Sequence, residues 1–187
     1  MESEKTISKE TVFSGNFLQL ERQRIELANG QRAWREIVRH APAVGILALM
    51  KGGILMVRQY RKAVEESLWE IPAGLIDPGE EPLTAAQREL EEETGYAAKD
   101  WQKLATTYTS PGCLDESMTL YLAKDFSRME HPTAPDAEEN IEVDGWPLEK
   151  AAEALQAGEI KDLKTAYAIQ TASLEERMGG HGEEATH

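Results

Sequence analysis

Four glutamates at short intervals carry the chemical content of this chain: Glu80, Glu89, Glu92 and Glu93, inside a segment that opens at Gly74 and closes at Gly95-Tyr96. Leu83, Ala86 and Leu90 recur at offsets of three and four, which predicts a helix over residues 80–94 with one apolar face turned to a core. The other face then carries Glu89, Glu92 and Glu93. As i,i+3 and i,i+4 neighbours they repel, each like-charge pair costing roughly 0.2–0.5 kcal/mol. A hard divalent cation such as Mg²⁺ or Mn²⁺ reverses that sign, because it takes carboxylate and carbonyl oxygens as ligands. Acids in this pattern therefore point to a bound divalent cation.

Elements on both sides must hold this helix in place. Ahead of it, residues 43–50 and 54–60 flank Lys51-Gly52-Gly53 and read as a central buried strand and its hairpin partner. Residues 68–71 are a short strand that runs through Pro72-Ala73 to Gly74, and Asp77-Pro78-Gly79 is a turn. Pro82 suits a first helical turn and Gly95 a C-terminal cap. Beyond the helix, strands are expected over residues 104–109, 117–123 and 141–146, with the loop Ser110-Pro111-Gly112-Cys113-Leu114-Asp115-Glu116 between the first two. Residues 130–140 are polar and proline-containing, the kind of loop that often carries function. Two helices follow: residues 148–157, with Ala151, Ala154 and Leu155 inward, and a helix capped by Asp162 that runs to Met178, with Ala166, Ile169 and Leu174 inward.

The first forty residues stand apart. Residues 17–20 and 23–27, the Asn29-Gly30 turn and residues 34–40 predict an antiparallel hairpin, marginal alone and in need of a domain or a second subunit to pack on. The expected organisation is a hairpin segment over 1–40, one domain over 41–178 and a disordered tail over 179–187. Strands and helices mixed in this way suggest an α+β layered domain.

The 187 residues suffice for one core, and a formal charge of −14, from 34 acidic against 20 basic residues, excludes a general polyanion-binding surface. No nucleic-acid partner is therefore expected. Cys113 is the only cysteine, so no intrachain disulfide forms and a reducing compartment is expected. The charged Met-Glu-Ser-Glu-Lys start and an apolar run of only residues 43–50 predict neither signal peptide nor membrane span, hence a cytoplasmic protein. His40, His131, His181 and His187 show no metal-ligand spacing.

Gly74, five residues, Glu80, seven residues and then Arg88-Glu89-Leu90-x-Glu92-Glu93-x-Gly95-Tyr96 resembles the complete signature box of the Nudix hydrolases, which cleave nucleoside diphosphates linked to another moiety. Nine such positions coincide by chance on the order of 10⁻⁸ per starting point. The resemblance implies an α/β/α sandwich with a mixed sheet, preceded by the small antiparallel sheet. It also implies that Glu89 and Glu93 are the main ligands of Mg²⁺ or Mn²⁺, with Glu92 beside them and the Ala73 carbonyl as a further ligand. Glu80 is a weaker ligand candidate that would reach the metal through water, and Arg88 would pair with the box carboxylates and hold them.

Substrate choice lies outside the box. Pro111 follows Gly95 at a distance of 16 residues, within Ser110-Pro111-Gly112, and this resembles the ADP-ribose pyrophosphatase subgroup. By that resemblance Arg35, Glu36, Arg61, Leu75, Ser110, Pro111, Gly112 and Glu116 contact substrate. Phe17 is a candidate to stack on adenine, since a purine offers a π face to an aromatic ring, and the hairpin's need for a packing partner predicts a homodimer through the small sheet. The implied reaction is metal-dependent hydrolysis of ADP-ribose to AMP and ribose 5-phosphate. Another nucleoside diphosphate sugar, a dinucleotide, or a non-catalytic ADP-ribose-binding role stays open on the same residues; RNA 5′-end hydrolysis fits the acidic charge poorly. In similar proteins a glutamate on the loop after the box activates the water and meets the metal; here Glu139 best matches that register and Glu138 comes second.

Overall fold

The computed structural model describes residues 4–130 and 141–179. Among them the small N-terminal sheet has three antiparallel strands in chain order: β1 (Lys5–Ser14), β2 (Leu18–Glu26) and β3 (Arg32–His40). The β2–β3 hairpin forms as expected, with Gly30 at φ 78° and the Gln31 amide donating to Asn29 Oδ1 at 3.0 Å. β1 is an addition to the expected hairpin. It is exposed along its whole length, so it carries no hydrophobic alternation by which a sequence pattern could reveal it. Register shifts beside Ile7 and Val12 mark irregularities of this edge strand, a feature that discourages edge-to-edge pairing.

The face that β2 buries is largely polar. Glu21 and Gln23 are buried beside Ile25, and the Glu21 carboxylate accepts from Gln23 Nε2 at 2.8 Å and from Arg39 Nε and Nη2 at 3.2 and 3.1 Å. The Gln23 bond above all holds the Glu21 carboxyl below the usual range.

The second sheet has seven strands. Its path is β10 (Glu142–Pro147), β5 (Gly53–Arg61), β4 (Ala43–Met50), β9 (Ser117–Arg128) and β8 (Tyr96–Tyr108), with β6 (Glu66–Glu70) on β5 and β7 (Ala73–Leu75) on β4. β4 and β9 run parallel and the other pairs antiparallel, so the sheet is mixed. The continuous apolar run of β4 lies mid-sheet, with helices covering both faces. Val44, Ile46 and Ala48 pack with Ala85, Ala86 and Leu90 of α1 (Pro82–Thr94), while Ala43 and Leu47 pack with residues of α2 (Leu148–Gln156) and α3 (Leu163–Gly179), among them Ala151, Ala168 and Ile169. The result is the α/β/α sandwich. No helix among the described residues is long and apolar enough to cross a membrane.

Some boundaries and faces differ from expectation. The box helix starts at Pro82 rather than Glu80, and its packed stretch is Ala85, Ala86, Leu90 and Glu93; Leu83, in the first turn, stands clear at 38% exposure. On α3 the inward residues are Thr165, Ala168, Ile169 and Ala172, spaced at three, four and seven. Leu174 lies about 140° around the helix from Ile169 and is exposed, and Ala166 is only half-buried. β8 begins at Tyr96, eight residues ahead of the strand expected over 104–109, because pairing with β9 rather than hydrophobic alternation sustains it.

The two sheets meet at the loop between β8 and β9. The Val38 amide donates to the Cys113 carbonyl at 2.7 Å and the Asp115 amide to the Val38 carbonyl at 3.1 Å. The Asp115 carboxylate accepts from Arg39 Nη1 and from the His40 amide, both at 2.9 Å. Burial opposes ionisation of Asp115, but these bonds prevail and hold its carboxyl below the usual range.

Candidate active site

The backbone from Ile71 to Leu75 is the rail on which the box acids are set. Gly74 lies directly against Glu89: a Cβ built at position 74 would stand 2.0 Å from the Glu89 carboxyl carbon and 2.1 Å from Oε1, so only glycine permits this approach. One residue earlier, the Ala73 amide donates to Glu93 Oε2 at 3.1 Å, and Glu93 is buried with 7% of its surface exposed. At the far end of the helix Gly95 takes the left-handed conformation, φ 71°, and donates its amide to the Glu91 carbonyl at 2.9 Å.

Arg88 is the hub of the cluster. Its Nε and Nη2 hold the Glu80 carboxylate at 3.1 and 3.0 Å, its Nη1 reaches Glu89 at 2.7 Å and Glu92 at 3.0 Å, and Nη2 also donates to the Leu75 carbonyl at 2.9 Å. The Arg88 bond lowers the Glu80 carboxyl below its usual range, helped by the Asp77 amide at 3.1 Å. Glu80 therefore faces Arg88, where the sequence also allowed a water-bridged approach to a metal. Arg88 places a positive charge among these acids and offsets part of their mutual repulsion.

These groups line a cleft of about 1120 Å³ that includes Ala73, Leu75, Arg88, Glu89, Glu92 and Glu93. Phe17, Arg61 and Glu116 line it too. Phe17 is 73% exposed. Glu116 accepts from Thr109 Oγ1 at 2.7 Å and stands 3.3 Å from His40 Nδ1. Arg61 is joined bidentately to Glu70, Nε and Nη2 each at 2.7 Å.

The remaining substrate candidates lie elsewhere. Arg35, Glu36, Pro111 and Gly112 line a second cavity of about 390 Å³ between the small sheet and the proline loop, where Arg35 Nε bonds Glu4 at 3.1 Å. Ser110 lines neither cavity; its carbonyl accepts from the Cys113 and Leu114 amides at 3.1 and 2.9 Å. Glu138 and Glu139 fall outside the described residues.

Buried Glu70 and its partner Lys164 line the main cleft and were missed from the sequence; Asp162 lines it too but was read only as a helix cap. The one available signal was an acid in the strand Leu-Trp-Glu-Ile, a place where a charge needs a partner. Nothing in the sequence named Lys164 as that partner.

The donor chemistry of Glu89, Glu92, Glu93 and the Ala73 carbonyl suits a hard divalent cation, and Gly74 leaves open the space that the Glu89 carboxylate fills. Among the described residues no three acids, histidines or cysteines already converge as a metal site. Arg88 engages Glu89 and Glu92, and the Ala73 amide engages Glu93.

Comparison with known families accounts for nearly all of the chain. The NUDIX domain model matches residues 39–167. The chain belongs to the Nudix hydrolase family. A second model, the nucleoside diphosphate sugar hydrolase N-terminal domain, matches residues 4–38 of this Nudix hydrolase, which are essentially its small sheet. The hydrolase is 47% identical over 176 residues to an ADP-ribose pyrophosphatase of Bacillus subtilis, covering 94% of this chain and 95% of that one. It is 43% identical, with the same coverage, to a methanol dehydrogenase activator of Bacillus methanolicus. A crystal structure described as an ADP compounds hydrolase superposes with a TM-score of 0.83 at 26% identity, over 96% of each chain.

Proposed function

We propose that this Nudix hydrolase cleaves the pyrophosphate bond of ADP-ribose, releasing AMP and ribose 5-phosphate. The observation that carries the substrate is the end-to-end match at 47% identity to a protein named ADP-ribose pyrophosphatase. Glu89, Glu93 and the Ala73 carbonyl would hold Mg²⁺ or Mn²⁺, with Glu92 beside them; the bound ion supplies phosphate neutralisation and a water of lowered pKa. Arg88 orients these carboxylates by the bonds already described. Phe17 offers an exposed ring face for adenine, while Arg61 and Glu116 hold the diphosphate and ribose parts that reach the main cleft. We assign Arg35, Glu36, Ser110, Pro111 and Gly112 to parts of the substrate outside that cleft. Glu139, or failing it Glu138, takes the proton from the attacking water.

A panel of ADP-ribose, a second nucleoside diphosphate sugar and a dinucleotide, assayed with Mg²⁺ and with Mn²⁺, tests this reading. ADP-ribose is expected to turn over best, and Glu93→Gln to lower kcat/KM about a hundredfold, the scale of one charged contribution at a reacting phosphate. Glu139→Gln should lower kcat by a similar factor of about 10² and leave KM nearly unchanged. Turnover of the other substrates without ADP-ribose would favour the wider sugar-nucleotide class named by the N-terminal model; a fully active Glu93→Gln would remove the metal assignment.

The protein is further proposed to be a cytoplasmic homodimer joined through the small sheet. Phe13, Leu18 and Trp34 share one face of that sheet by strand register and are 56%, 40% and 50% exposed. Phe13 and Leu18 lie toward one end of this face and Trp34, against Arg22 and Arg24, toward the other, so a partner sheet would cover apolar and cationic surface together. Light scattering should give twice the chain mass for the wild type and the single chain mass for Phe13→Glu with Trp34→Glu. A wild-type monomer at assay concentration would refute the dimer.

A further inference from the structure

Outside the box, a buried polar relay ties the first turn of α3 to the strand end that feeds Ala73 and Gly74. The Ile71 amide donates to Thr165 Oγ1 at 2.8 Å, a contact between residues 94 apart in sequence. The same hydroxyl donates to Asp162 Oδ2 at 2.5 Å, and the Thr165 amide donates to that oxygen at 3.0 Å. Lys164 stands 3.1 Å from Asp162 and also bonds Glu70, the residue just before Ile71. Residues 70 and 71 are thus clamped from α3 at two adjacent points. Thr165 has none of its surface exposed, so no water substitutes for its hydroxyl.

Downstream of this clamp the backbone has little freedom. Pro72 follows Ile71 with a fixed φ, and its carbonyl accepts from the Ile46 amide of β4 at 2.8 Å. Ala73 comes next, and its amide holds Glu93. We infer that Thr165 is a positioning residue for the acid cluster, acting through Ile71, Pro72 and Ala73 on Glu93 and on the Ala73 carbonyl. Its hydrogen bonds run to Ile71 and Asp162, so its effect on Glu93 passes through the backbone. This role rests on the proposed metal reading of Glu93, since it concerns where that carboxylate is held and not what it does.

Thr165→Val removes the hydroxyl at nearly constant volume, and Thr165→Ser keeps it. Mn²⁺ binding, measured by calorimetry without substrate, is the direct readout. Thr165→Val should weaken it about tenfold, the low end of the effect of groups that orient metal ligands, and Thr165→Ser should stay within about threefold of wild type. In turnover, the Mg²⁺ concentration for half-maximal rate should rise by a similar factor of about 10, while KM for ADP-ribose at saturating metal is unchanged. A merely structural threonine would lower the melting temperature and leave metal affinity alone; that result overturns the proposal. Should Thr165→Val not fold, Thr165→Ala, which also removes the hydroxyl that bonds Ile71 and Asp162, carries the same test, and unchanged Mn²⁺ affinity there overturns it as well. Glu93→Gln separates the two claims: if it binds Mn²⁺ like the wild type, the metal reading itself has failed.

Discussion

Gly74→Ala is expected to lower kcat/KM about a thousandfold, roughly 4 kcal/mol of transition-state stabilisation, while the protein stays folded. The added Cβ would fall 2.0 to 2.3 Å from the carboxyl carbon and both oxygens of Glu89, far inside contact distance. Either Glu89 swings away or the rail at Gly74 retreats. Glu89 is bonded to Arg88 Nη1 at 2.7 Å, and Arg88 in turn to the Leu75 carbonyl at 2.9 Å, so both responses loosen the hub as well. The obstructing atoms are the end of a flexible side chain and not backbone, which is why the fold should survive. Function has no such tolerance, because the displaced group is a proposed metal ligand. Circular dichroism and the melting temperature should remain near wild type, with kcat/KM and Mn²⁺ affinity both collapsing. A Gly74→Ala protein with wild-type turnover would show that the Glu89 carboxylate need not occupy this position.

The same glycine shows what the sequence made legible. The box could be read because each of its residues answers a local demand: Gly95 takes a left-handed φ, Pro82 opens the helix, and three acids share one helical face. The β4 run was legible for a similar reason, since a strand buried on both sides needs an uninterrupted apolar run. What escaped depends on partners distant in sequence. β1 has no buried face and is defined by its pairing with β2. Leu174 fits a helical period from Ala166 and Ile169 loosely, but only the seating of α3 on the sheet decides which stripe is inward. Thr165 reads as an ordinary first-turn threonine until Ile71 is brought to it. Arg35 and Pro111 were read together as substrate contacts, and they do share a cavity, yet not the one that holds the acids.

Glu70→Gln should cost about 3 kcal/mol of stability and make the protein lose part of its response to acid. The Glu70 side chain is 3% exposed and lies between Arg61 and Lys164, themselves 41% and 10% exposed. Removing one partner of a buried pair costs about 3–5 kcal/mol because the other charge is left without compensation; the exposure of Arg61 keeps part of its hydration and argues for the lower end. For a domain of this size that corresponds to a fall in melting temperature of about 6–12 °C. The sign of the pH dependence follows from the same site. Burial opposes ionisation of Glu70, but the Arg61 and Lys164 bonds prevail, so the folded-state pKa lies below the ordinary 4.5. A depressed carboxyl contributes its stability above the unfolded pKa and loses it as pH falls through the folded one. The wild-type melting temperature should therefore hold from neutral pH down to about 5 and decline below that. The amide introduced by Glu70→Gln cannot ionise and resembles the protonated acid in shape, so the two melting curves should differ most at neutral pH and converge in acid. Glu21, Glu80 and Asp115, also held low, leave the variant a residual slope of the same sign. A constant offset between wild type and Glu70→Gln from neutral pH down to about pH 3 would show that the ion pair is not the source of the stability, and that Glu70 acts through its shape and hydrogen bonds alone.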